Sequence, residues 1–592
     1  MPAGGGTSVE SVGSRVLPTV HDEFDPTTMF PTPRIRRSVR ASSFVLALLA
    51  LGASRAPAVA QGQGPLPPPP PPPVGNPQTP AKTQLGRLLF WDEQLSSTRT
   101  MACASCHMPE FGGSDPRSNP QLPGNVHPGP DTSFGTPDDI HGSPGVVRSL
   151  ASGHYQSSVT FGLRPQVTSR KAPSAVNAAY APVLFWDGRA PGTFVDPVTG
   201  VVVLNQGAAL ESQAVQPILN DGEMAHVGRT WGDVVQRVAG SSPLALSPSV
   251  PQNLINFING RGYPDIFAEV FGTPDVTAAR IAMAIASYER TQFSNQAPID
   301  AFFGGNPGAL TPQEQQGLQV FNSPQASCNI CHAGALFSNQ SFRYIGVRPS
   351  GEDPGRFAVT GNPGDIGRMR VPSLRNAELR APYFHNGSAQ SVVDVVEFYN
   401  RGGDFDAPNK DPLIRPLNLT QQQKDSLVAF LRRPLTDPRI PSAQPPFDHP
   451  ALYAGSAREP DLFGAPTPGT GGFDPHMIAL APPVIGNSQF TVGVQRGLSG
   501  APAGLIVDVI SSPNGTPFGH ATSYLGMSPA ARIHRVGTLN GAGPGTGWSS
   551  FVLSIPADPL LVGTPLYGQW FVRDPGSGGR FAASEAFSLT HF

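Results

Sequence analysis

The apolar positions change period once along the chain, and that change separates a helical part from a strand-rich part. From Thr83 onward Leu85, Leu88 and Leu89 fall on one helical face, and a polar loop then leads to Cys103. Over residues 277–292 Ile281, Ile285 and Tyr288 share a face and read as core. Thr311, Pro312 and Glu314 supply an N-cap hydroxyl, a first-turn proline and a capping-box carboxylate, which start a helix carrying Leu318 and Phe321 toward Cys328. A further helix starts at Ser391 with Val392, Val395, Val396 and Tyr399 on one face, and Gly402-Gly403 ends it. The last, over residues 420–433, packs Leu427, Phe430 and Leu431 before Pro434 stops it. After about Pro441 the period becomes two: Phe490, Val492 and Val494 alternate, as do Leu505, Val507 and Val509, and residues 548–555 and 566–572 give further strands between Gly/Pro turns. This predicts a separate all-β, sandwich-like domain with an accessory or adhesion role.

Composition adds two constraints. The 40 basic and 42 acidic side chains offer no basic surface, so no nucleic-acid partner is expected. Gly (66) and Pro (68) are abundant and charged residues only 14%, yet hydrophobic residues reach 39%, which describes a loop-rich exported protein with ordinary cores. The N-terminal pattern agrees. A basic stretch over 34–40, a short apolar run over 44–53 and Ala58-Val59-Ala60 read as a signal peptide with a cleavage site, with Met29 as an alternative start and an uncleaved anchor as the other reading. The apolar run is too short to span a bilayer, so no membrane span is expected after cleavage. Residues 67–73 are all proline and predict a stiff extended spacer.

The chemistry resides in Cys103-Ala-Ser-Cys106-His107 and Cys328-Asn-Ile-Cys331-His332, which contain the only four cysteines. C-x-x-C-H is the c-type haem attachment pattern: two thiols add to the porphyrin vinyl groups and the adjacent His lies under the iron. The competing reading, one zinc held by four thiolates, needs pairs close in sequence and leaves the two histidines unexplained. The expected cofactors are therefore two covalent haem c groups, ligated by His107 and His332, and c-type attachment fits export to the periplasm. Gly86-Arg-Leu-Leu-Phe90 before the first motif echoes Gly317-Leu-Gln-Val-Phe321 before the second, as two copies of one small helical domain would. The expected fold class is thus mainly α, two cytochrome-c-like helical haem domains in tandem plus the C-terminal β-domain. Its boundaries are a leader over 1–60, a Pro-rich linker over 61–82, haem domains over 83–300 and 301–440, a linker over 441–480 and the β-domain over 481–592. His127, His141 and His154 lie in a Gly/Pro/Ser-rich stretch and read as loop residues, one of which could approach the first iron.

The ordered set LFWD, CASCH, APSAVNAAY, FWDGRA, GEM, CNICH, GRMRVPSLRN, APYFHNG and VVEFYNRGG resembles the di-haem cytochrome c peroxidase family, including its MauG branch, over roughly residues 84–435. The resemblance implies a peroxide-binding first haem on Cys103 and Cys106 with His107 as proximal ligand, and a second haem on Cys328 and Cys331 with His332. It implies that Glu223 moves a proton between the peroxide oxygens, as general acid–base work requires, and that Trp186 relays electrons between the haems. Tyr399 stands where MauG-like members place a ligand to the second iron and other members a Met; Met369 is the other candidate. Three departures stand out: Leu163 sits roughly where other members carry a distal His, Lys171 replaces an Asn associated with an inter-haem calcium, and an insertion over 195–206 precedes Glu223. Calcium is thus possible but lacks a ligand. The implied activity is reduction of hydrogen peroxide with electrons from a small c-type cytochrome or similar periplasmic donor. The alternatives are a MauG-like oxidase that uses a high-valent di-haem state on a protein substrate, and a di-haem electron carrier.

Overall fold

The computed structural model describes residues 63–592; the signal peptide expected over 1–60 lies outside the described residues. Helix Pro80–Trp91 begins where the Thr79 side chain accepts from Lys82 N and Pro80 takes the first turn. It crosses helix Ala278–Glu289, and Leu85, Leu88, Leu89, Ile281, Ile285 and Tyr288 form the centre of a first helical lobe. In a second lobe, helices Pro312–Asn322 and Gln421–Leu431 bury Leu318, Phe321, Leu427 and Phe430, with Val396 from helix Val392–Arg401. The crossing is the same in both lobes. A Cβ on Gly86 would stand 1.9 Å from the Ala284 carbonyl oxygen, and one on Gly317 would stand 1.9 Å from that of Ser426. Only glycine lets the paired helices approach this closely, which accounts for the echo around Gly86 and Gly317.

The two lobes also meet through matching backbone frames. Lys171 N donates to His385 O at 2.7 Å, and Arg370 N donates to Trp186 O at 2.7 Å. Ser114 Oγ donates to Ala172 O (2.8 Å) as Ser338 Oγ does to Val371 O (2.7 Å). Ser174 Oγ donates to Gly112 O (2.6 Å) as Ser373 Oγ does to Leu336 O (2.6 Å). Asn177 and Asn376 take left-handed backbone at φ 61° and 57°, and so do Phe185 and Phe384 at 67° and 66°. The lobes therefore face each other about a local two-fold, with Trp186 and His385 as counterparts beside it.

The C-terminal part is β-rich as expected. Strands His476–Ile478, Thr491–Gly497 and Gly547–Val552 make one antiparallel sheet, and Arg532–Thr538, Pro502–Asp508, Pro565–Asp574, Arg580–Thr590 and Asp461–Phe463 make the other. Phe490, Val492 and Val494 meet Leu505, Val507, Trp570 and Phe587 between the sheets. The sandwich does not stand apart. Alternate residues of strand Thr491–Gly497 point the other way, onto the first lobe: Thr491 Oγ1 donates to Gly153 O (2.9 Å), Gly493 lies under Tyr155 and Leu163, and Gln495 Oε1 accepts from Leu163 N (3.0 Å). Val147, Tyr155, Leu163 and Ile478 form a small core at this junction. A strand covered on both faces packs its polar-face positions too.

The segments read as spacer and linker are likewise fastened down. Buried Leu66 donates its N–H to Asp300 Oδ1 (3.0 Å), and Tyr180 OH donates to Pro67 O, so the proline run lies along the lobes instead of holding them at a distance. Tyr453 is fully buried, with its N–H on Glu93 and its hydroxyl on Ala481 O (3.2 Å). Among the described residues no helix is long and apolar enough to cross a membrane.

Candidate functional site

Each C-x-x-C stretch forms a single helical turn, Cys103–Cys106 and Cys328–Cys331, with the histidine at its C-cap. His107 Nδ1 lies 3.2 Å from Gly113 O and His332 Nδ1 2.9 Å from Phe337 O. A carbonyl can only accept, so Nδ1 carries the proton and the Nε2 lone pair is left free for a metal. Burial disfavours the imidazolium form in both, and holds His332 down to about 4. All four thiols are free, and burial pushes Cys103 and Cys328 up to about 12. Among the described residues no three His, Cys, Asp or Glu side chains converge as a metal site, so the two pairs do not share one zinc.

Around the second pair lies a largely apolar cavity of about 270 Å³, against the ~10–15 Å³ one water needs. Cys328, Cys331, His332, Tyr399 and Met369 all face it, so both candidate ligands border the same space. Tyr399 is brought there by helix Val392–Arg401, whose Ser391 and Asp394 form a capping box. Burial raises its phenol above the ordinary range. The cavity rim also carries Lys171, Arg370 and Arg380. None of the three makes an ion pair with a described carboxylate, and Arg380 Nε has no partner. Burial lowers Arg370 and Arg380 to about 10 and Lys171 to about 7. Buried cations without counter-ions call for an anionic occupant. Apolar walls, paired thiols, an imidazole with a free Nε2 and unpaired cations for carboxylates together fit a haem with its propionates.

The four thiols, His107 and His332 were named from the sequence, whereas His385, which also borders this cavity, and the cation set were not. Its signal was present: Lys171 and Arg370 occupy equivalent places ahead of the two Pro-Ser segments. Lys171, which stands in the calcium-associated position, directs its ammonium to Ser114 Oγ.

Trp186 joins the lobes. Its Nε1 donates to Lys171 O (2.8 Å), its carbonyl receives Arg370 N, and its ring meets His385 edge-on at 6.3 Å between centroids. It borders the second cavity, while Lys171 beside it reaches toward His107, whose proton affinity its charge lowers.

Around the first pair, Cys103 and Cys106 rest on the first-lobe core, and Arg117 donates to Cys106 Sγ at 3.3 Å while held by Asp115. Half-buried Glu223 sits in a tight turn: its N–H donates to Asn220 O (3.1 Å), and Asn220 Nδ2 donates to its Oε1 (3.1 Å). Burial raises its carboxyl, with Arg189 pulling the other way, and its charge is felt at both thiols of the pair. Met224, next to Glu223, is buried in the same core on which Cys103 and Cys106 rest, despite the hairpin inserted at Phe194–Val195 and Val202–Leu204. Leu163 is buried under the sandwich, and exposed His154 turns to Ser550 Oγ (3.4 Å), away from the first pair.

Two dithiol-and-imidazole sites, one in each of two matching lobes that meet at Trp186, define a di-haem oxidoreductase. The chain belongs to the di-haem cytochrome c peroxidase family. Residues 80–308 match the family described as di-haem cytochrome c peroxidase. The cytochrome-c peroxidase IdrP1 of Denitromonas iodatirespirans is 30% identical over 449 residues, covering 69% of this chain and 98% of the relative. That of Pseudomonas sp. (strain SCT) is 30% identical over 414 residues, covering 63% and 88%. The methylamine utilization protein MauG of Methylorubrum extorquens is 28% identical over 368 residues, covering 61% and 80%. The protein is accordingly an enzyme, a peroxidase of the di-haem type.

Proposed function

We propose that this chain is an exported, periplasmic di-haem c-type peroxidase that reduces hydrogen peroxide with electrons from a small c-type cytochrome or similar donor. The single observation that carries the reading is the Glu223 turn, whose Met224 packs in the same core as Cys103 and Cys106 and whose carboxyl is held by Asn220 Nδ2. In this reading the lobes are tandem cytochrome-c-like domains. Cys103 and Cys106 would hold one haem by thioethers with His107 as ligand, and Cys328 and Cys331 the other with His332 and Tyr399. The haems, when bound, supply the redox chemistry.

The protein's own residues supply proton handling and connection. Asn220 Nδ2 occupies Glu223 Oε1 as a donor, which leaves Oε2 as the atom that gains and loses the proton. Oε2 would take the proton from one peroxide oxygen and return it to the other, which readies that oxygen to leave as water. The two electrons and two further protons that complete reduction of hydrogen peroxide to two waters would come from the bound haems, their donor and solvent. Trp186, anchored at both its Nε1 and its carbonyl, is suited to relay electrons between the lobes. Glu223→Gln keeps the amide contact but cannot shuttle a proton. It should lower peroxide turnover about 10²–10⁴-fold while both haems stay attached, as pyridine haemochrome spectra would report; unchanged turnover removes Glu223 from this role.

A second reading, oxidation of a partner protein by a high-valent di-haem state, is favoured by Tyr399 on the second cavity and Leu163 in place of a distal His. Stoichiometric peroxide added to the fully oxidised protein separates the two. A prompt, persistent change in absorption and EPR spectra favours partner oxidation, and a response only after one-electron reduction favours the peroxidase.

A further inference from the structure

A second cavity, of about 410 Å³, opens between the first lobe and the sandwich, away from both cysteine pairs. Arg99 and Arg237 border it, and neither makes an ion pair with a described carboxylate. Arg99 Nη1 donates to Asn487 Oδ1 (2.5 Å), and Arg237 donates to Gln489 Oε1 (3.2 Å). These neutral amides from one turn of the sandwich orient both guanidinium groups without neutralising them. The one acid on the walls, Asp233, is committed to its own helix, where it accepts from Thr230 N and Oγ1 at 2.8 Å each. His226 also faces the cavity, with Nδ1 3.0 Å from Val227 O. Hydroxyls of Ser149 and Thr491 complete a polar lining.

We propose that this cleft binds a small organic carboxylate or phosphate, gripped between Arg99 and Arg237. Two guanidinium forks match the paired oxygens of such a group. Both arginines lose solvation here: burial, with the Arg237 charge adding to it, brings Arg99 down to about 9, and burial lowers Arg237 with the Asp233 charge pulling the other way. A bound anion removes that conflict. The space exceeds what a bare ion fills, which indicates an organic body behind the anionic group. The site uses no residue of the cysteine cages and stands or falls separately from the peroxidase reading.

The test is isothermal titration calorimetry of the full-length, haem-loaded protein with inorganic phosphate, at ionic strength held constant with chloride. Saturable one-to-one binding is expected, weakening as salt screens it and falling at least about tenfold in Arg99→Gln and in Arg237→Gln. Ser241→Glu, which adds a carboxylate to the cleft wall and gives up the part-exposed bond from Ser241 Oγ to Arg237 O (2.7 Å), should abolish binding while the haem spectrum stays as in the parent. Absence of saturable binding overturns the proposal. So does binding that survives both arginine substitutions, or that survives Ser241→Glu.

Discussion

At the scale of single residues, the two cages differ most in what faces their imidazoles. Tyr399 and Met369 both border the second cavity. An anionic phenolate oxygen stabilises ferric iron more than a thioether sulfur does. Tyr399→Met should therefore raise the reduction potential of one haem, on the order of 100 mV within the ~0.8 V that axial ligation spans. Spectroelectrochemical titration reads this directly, and an unshifted potential would transfer the ligand role to Met369. The thiols and imidazoles were legible in the sequence because contiguous C-x-x-C-H carries its own geometry. The cations were not: Lys171, Arg370 and Arg380 look like ordinary surface charge until the fold buries them without partners.

At the scale of elements, the lobes depend on two close helix crossings. The added methyl of Gly86→Ala or Gly317→Ala would meet a backbone carbonyl, which cannot rotate away as a side chain can. Alanine's better helix propensity gains about 1 kcal/mol, and overpacking typically costs about 1–3 kcal/mol. With 1.9 Å available the clash should win, so both variants should unfold at lower urea concentration than the parent. An equal or higher midpoint would mean that the helices separate at no cost. The repeat of Gly and Phe at these crossings was visible in the sequence, but its cause was not, since the opposing carbonyls come from helices about 200 residues away in the first lobe and about 110 in the second.

The sandwich was legible as an element and not as a neighbour. Alternation in Val492 and Val494 announced one buried face; nothing local announced that Thr491, Gly493 and Gln495 would cover the loop behind Glu223. That loop is tied to the Glu223 turn by Val146 N on Glu223 O (3.1 Å). Gln495→Ala removes the acceptor of the Leu163 N–H, and an orphaned N–H costs about 1–3 kcal/mol. Hydrogen exchange of residues 147–163 should accelerate by roughly one order of magnitude or more, with the sandwich itself unchanged. Unaltered exchange would show that the sandwich does not brace the loop.

At the scale of the whole molecule, the first lobe carries buried carboxyls whose protons are held unusually tightly. Burial lifts Glu289 to about 8, outweighing nearby Arg290, and its Oε2 has no partner. Burial likewise lifts Glu93 to about 8, against hydrogen bonds from Ala454 and Tyr453 and with the charges of Asp92 and Glu459 adding to the lift. Glu93 is also the acceptor that fastens the segment leading to the sandwich. In the unfolded chain both groups titrate near the ordinary carboxyl value of 4.5. Between about pH 4.5 and 8 these two groups therefore bind more protons in the folded protein than in the unfolded one, and their contribution to stability falls as pH rises through that window. Each group contributes a slope of up to ~1.4 kcal/mol per pH unit. Paired carboxylates with lowered values, Asp353 beside Arg170 and Asp437 beside Arg439, act in the opposite sense, and their contribution is lost only as pH falls below the ordinary carboxylate range. His332 and His385, held down to about 4, and Lys171, held down to about 7, also act in the opposite sense as pH rises, so the readout is a difference. In denaturant unfolding across pH 5 to 8.5, Glu289→Gln, whose amide has no proton to lose, should gain stability relative to the parent toward the alkaline end. A difference between variant and parent that stays flat with pH would mean that Glu289 is ionised in the folded protein, with Arg290 outweighing burial.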